Sequence, residues 1–96
     1  MTINGNEYTA PTFTFSDVCQ LEEWGIDSIN MGAKPLSLLA GFVSLAVGGK
    51  TLEDGKKVID AHLASGGKLN DLTKEMNNAV ESSGFFKAAE EEAART

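Results

Sequence analysis

The chain has a single cysteine, Cys19, and a single histidine, His62, in 96 residues. A lone cysteine forms no intrachain disulfide, and with one histidine beside it no zinc site of the cysteine–histidine type can be assembled. Lys and Arg are missing from residues 1–33, where five acids stand: Glu7, Asp17, Glu22, Glu23 and Asp27. The whole chain carries a net charge of −6. Such a balance argues against a nucleic-acid binder that works by neutralising phosphate, and against a polybasic membrane anchor. Long hydrophobic runs are missing too. The longest apolar-rich stretch, Leu36 to Val47, is interrupted by Ser37, Gly41 and Ser44 and is too short to span a bilayer. The opening Met1-Thr2-Ile3-Asn4 has no basic start and no apolar run, so no signal peptide is expected, and cytoplasmic residence is.

Without staples the fold must stand on its apolar core. At 42% apolar and 23% charged residues the composition is that of a soluble domain. This length supports one such core and not two, so residues 1–96 are read as a single domain.

The pattern along the chain is mainly helical. Asn4-Gly5 lies between Thr2-Ile3 and Glu7-Tyr8, and Asn-Gly accepts the positive φ angles of a tight turn, which predicts a β-hairpin over 1–10. Phe13 and Phe15 alternate with Thr12 and Thr14 as an extended entry strand. A first helix is predicted over 16–24, capped by Ser16 or Thr14, with Val18, Leu21 and Trp24 on one face. Cys19, beside Val18, is expected to be half-buried and inert. Gly25 supplies the left-handed stop, and Ile26 is expected to fold back onto the helix. Residues 27–34 read as irregular. Pro35 suits the first position of a second helix over 35–47. Leu36, Leu38, Leu39, Phe42, Val43 and Leu45 cover more than one of its faces, so it should be the central, mostly buried helix. Gly48-Gly49 ends it. Thr51-Leu52-Glu53-Asp54 opens a third helix over 52–64 as a capping-box variant. A fourth is predicted over 71–82 with Asn70 as cap, and a fifth over 85–94 after the break at Ser82-Ser83-Gly84. The expected class is therefore mainly α, four to five helices with a short N-terminal β-hairpin, a small single-domain α+β fold.

Few residues suggest chemistry. Ser44-Leu45-Ala46-Val47-Gly48-Gly49-Lys50-Thr51 resembles a phosphate-binding loop, but Ser44 replaces the first glycine and a helix, not a strand, precedes it. A helix stop followed by a helix cap accounts for the same residues. His62 has no nucleophile or second ligand near it in sequence and is expected at the edge of a helix–helix interface. No G-x-S-x-G elbow and no Ser/Lys pair is present. No catalytic residue, metal or cofactor is expected, so an enzyme is not. Phe85-Phe86, after a glycine break, is costly to leave in water: it either closes the core or anchors another chain. Trp24 is the third candidate for a partner contact.

Two resemblances bear on function. Leu21-Glu22-Glu23-Trp24-Gly25-Ile26-Asp27-Ser28-Ile29 is similar to the signature of acyl carrier proteins. That resemblance implies phosphopantetheine on Ser28, with Asp27 as its neighbour. The carrier family starts a long helix at this serine, where Gly32 and Pro35 interrupt the present chain. A broader one joins Met1 to Tyr8, the block Phe13 to Gly25, Gly66-Gly67-Lys68-Leu69-Asn70-Asp71-Leu72 and Ser83-Gly84-Phe85-Phe86-Lys87. Together these resemble tail assembly chaperones of long-tailed bacteriophages and prophages of Gram-positive bacteria. The resemblance implies a non-enzymatic factor of the host cytoplasm, absent from the finished virion. Its implied partners are the tape measure protein, which it keeps soluble, and the tail tube protein, with homo-oligomers also open. The remaining reading is a generic small helical interaction protein.

Overall fold

A computed structural model describes residues 1–27 and 35–84 of the chain. Strands β1 (Thr2–Ile3) and β2 (Asn6–Glu7) pair antiparallel, Thr2 opposite Glu7 and Ile3 opposite Asn6. Four helices follow: α1 (Phe15–Glu23), α2 (Pro35–Val47), α3 (Leu52–Ala64) and α4 (Leu69–Ser82). The expected small helical fold with an N-terminal hairpin is thus observed. The helix predicted over 85–94 lies outside the described residues.

Local chemistry explains the element ends. Asn4 and Gly5 have φ of 50° and 80°, the two left-handed positions of the predicted Asn-Gly hairpin turn. At the start of α1, Thr14 Oγ1 accepts from Asp17 N–H at 3.2 Å and Asp17 Oδ2 accepts from Thr14 N–H at 3.1 Å, a complete capping box. The first three helices share one stop. Gly25, Gly48 and Gly66 sit at positive φ, and the N–H of the next residue reaches back to Leu21, Ser44 and His62 respectively. A side chain is strained there, and the reversal satisfies carbonyls that the helix end would orphan. The Gly25 stop turns Ile26 back into the core, as predicted.

Three local expectations need correction. Phe13 is not part of an extended strand. Its φ is 50°, and the kink drops its ring into the core against Phe42, with centroids 5.4 Å apart. Phe15 already belongs to α1 and is largely exposed. Asn70 does not cap α4. The cap is Lys68, whose N–H donates to Asp71 Oδ2 at 3.3 Å, so Leu69 and Asn70 become the first helical residues. Cys19 is exposed rather than half-buried, because the buried stripe of α1 passes through Val18 and Leu21 on another side.

The core joins β1 to the helices α1 to α4. Ile3 from the hairpin, Phe13, Val18 and Leu21, Leu38, Leu39, Phe42 and Val43 of α2, Ile59 of α3, and Leu72 and Met76 of α4 form one buried cluster. Helix α2 is its centre, as its all-round apolarity predicts. Ser83 Oγ ties the end of α4 to the Phe13 carbonyl at 3.0 Å, inside the protein. The decisive crossing is α2 on α3. A Cβ at Gly55 would collide with the Ala40 carbonyl, so only glycine admits this approach. The chain bends by 93° between the two helices. They therefore touch closely around Ala40, Ser44 and Gly55 and diverge beyond it.

Candidate functional site: an apolar groove between α2 and α3

That divergence opens a groove of about 370 Å³. One wall is the N-terminal half of α2, with Leu36, Ser37, Leu39 and Ala40. The other is α3 from Lys56 onward, where Lys56, Ile59, Asp60 and Leu63 recur at helical spacing. Leu69, the first residue of α4, closes one end. Ile59 and Leu39 are buried and form the floor. Leu36, Leu63 and Leu69 form the rim, with 64%, 40% and 37% of their surfaces exposed. Leu36 is thus a correction: it extends the apolar pattern of α2 but sits past the crossing, where nothing among the described residues covers it.

Two charged side chains interrupt this apolar lining. Lys56 Nζ is held by Glu53 Oε1 at 2.9 Å. Asp60, one turn further on, forms no ion pair or side-chain hydrogen bond among the described residues. The groove is therefore a leucine-walled surface with one carboxylate that no described residue pairs.

The residues singled out by sequence lie elsewhere. Trp24 is half-buried against the core, and its indole Nε1–H donates to the Lys50 carbonyl at 3.2 Å. It braces the end of α1 against the α2–α3 turn and does not line the groove. Asp27 is exposed. Ser28, Phe85 and Phe86 lie outside the described residues. The groove leucines were missed as a site because a leucine that packs into the core and one that stays open look alike in sequence.

The other polar candidates have structural partners. The Lys50 and Thr51 N–H groups donate to Asp54 Oδ2 at 2.8 and 3.0 Å, so a carboxylate of the chain itself takes the place an anion would occupy. These donors hold the Asp54 carboxyl below the ordinary aspartate range. Ser44 Oγ donates to the Thr51 carbonyl at 2.7 Å. His62 is buried; its Nδ1 accepts from the Asn4 N–H at 2.9 Å, which ties α3 to the hairpin, and its Nε2 lies 3.9 Å from Asp71 Oδ2 of α4, so the ring also stands at the α3–α4 edge. Among the described residues no three His, Cys, Asp or Glu side chains gather as a metal site would require, and no single helix is long and apolar enough to cross a membrane.

No family model, curated protein or solved structure matches the chain.

Proposed function

We propose that this protein is a non-enzymatic phage tail assembly chaperone, which binds the tape measure protein and keeps it soluble until the tail tube encloses it. The groove between α2 and α3 is the observation that carries this reading. A long helical rod exposes apolar stripes before its tube forms. An apolar cleft rimmed by Leu36, Leu63 and Leu69 offers such a stripe a helix-in-groove contact. Three rim leucines left partly in water are costly for a domain of this size to display without a use. Many copies on one rod add avidity without any single contact being strong. The net charge of −6 keeps the free chaperone soluble at the concentrations that coating a rod demands. The reading places the protein in the host cytoplasm during assembly, with the tail tube protein as a second partner.

Co-expression with the tape measure protein encoded beside it tests this. Tape measure protein should shift from the insoluble to the soluble fraction and co-purify with the chain. If the two never associate and solubility is unchanged, the chaperone reading fails.

A further inference from the structure

We infer that the groove selects a helix carrying a lysine or arginine beside its apolar stripe, and that Asp60 reads this base. The inference rests on the helix-in-groove reading above and specifies its partner. Of the two charged residues in the lining, Lys56 is neutralised by Glu53 at 2.9 Å. Asp60 forms no ion pair with any described residue, so among the lining side chains it is the charge left for an occupant to pair.

A helix seated on Leu36, Leu63 and Leu69 removes water from one side of that carboxylate. Desolvating an unpaired charge is unfavourable, and an opposite charge in hydrogen-bond reach offsets the loss. A partner with a neutral residue there leaves the carboxylate unpaired. A partner with an acid adds direct repulsion. Asp60 therefore discriminates in both directions, by attraction to one helix and rejection of others. It lies one turn from Lys56 and three residues before Leu63, so the base must stand about one helical turn from the residue that contacts Leu63. The long-range field points the same way. A chain of net charge −6 attracts a basic segment before contact and repels a second copy of itself, which disfavours self-association through this face.

The test uses the full chain and two synthetic amphipathic peptides with the same leucine stripe. One carries lysine beside the stripe, the other glutamate. Affinities are measured by calorimetry at low and high salt. The lysine peptide should bind the natural chain about tenfold more tightly or better, with the preference shrinking as salt rises. Asp60→Asn should erase the preference and Asp60→Lys should reverse it. Asp60 is exposed, so both variants should retain the thermal midpoint of the natural chain. Equal binding of both peptides, binding of neither, or a preference that survives Asp60→Asn overturns the inference. So does a sedimentation result showing a dimer that Leu63→Asp dissolves. Tape measure protein that is never retained, with the lysine preference intact, counts against the chaperone reading alone.

Discussion

The backbone N–H of Asn4 donates to Nδ1 of His62 at 2.9 Å, linking the tip of the hairpin to α3 across 58 positions of sequence. A nitrogen that accepts carries no hydrogen, so the contact requires the tautomer protonated on Nε2. Nε2 is buried, without a hydrogen-bond partner, and 3.9 Å from Asp71 Oδ2, too far for a direct bond. Replacing the ring by one of similar bulk with no acceptor isolates this bond. His62→Phe should lower unfolding free energy by about 1–3 kcal/mol and accelerate amide exchange at Asn4. Nitrogen chemical shifts of the natural chain should report the Nε2–H tautomer. A Nδ1–H tautomer, or unchanged exchange at Asn4, would contradict the assignment.

Gly55 offers a test in which the sign is informative. In an exposed helix interior, Gly→Ala stabilises by about 1 kcal/mol. Here the added methyl meets the Ala40 carbonyl, which is backbone and cannot swing away. Gly55→Ala should therefore destabilise, by about 1–3 kcal/mol, as α3 is pushed off α2. Urea unfolding decides it, and a stabilised variant would mean the crossing is looser than described.

Acid sensitivity should be traceable to Asp54. Two backbone N–H donors, from Lys50 and Thr51, depress its carboxyl in the folded state. A depressed folded value means that the stabilisation is present above the unfolded aspartate range and is lost as pH falls through the folded value. Asp54→Asn should remove that part of the acid dependence, so its stability falls less steeply than that of the natural chain below about pH 4. Parallel pH–stability curves for the two proteins would reject this account.

The groove rim separates stability from binding. Leu36 is 64% exposed, so Leu36→Ser should change unfolding free energy by no more than about 0.5 kcal/mol. The same substitution should weaken retention of the tape measure protein in the co-expression assay. A loss of several kcal/mol would instead make Leu36 a core residue of the chain.

Sequence alone determined the elements and most of their ends, because these depend on neighbours a few positions apart. Asn4-Gly5 set the hairpin turn, Thr14 was one of the two caps that sequence offered for α1, and Gly25, Gly48 and Gly66 set the stops by admitting a left-handed φ. The apolar breadth of α2 marked it as central. Tertiary structure alone decided which leucines stay open. Leu36 and Leu39 belong to the same apolar pattern of α2, yet one is 64% exposed and the other 1%. The difference comes from the approach at Gly55, which buries the middle of α2 from Leu38 to Ser44 and leaves Leu36, in its first turn, uncovered by α3. His62 met the hairpin, and Trp24 met Lys50, for the same reason: partners distant in sequence are chosen by how helices cross, which no short stretch of residues encodes.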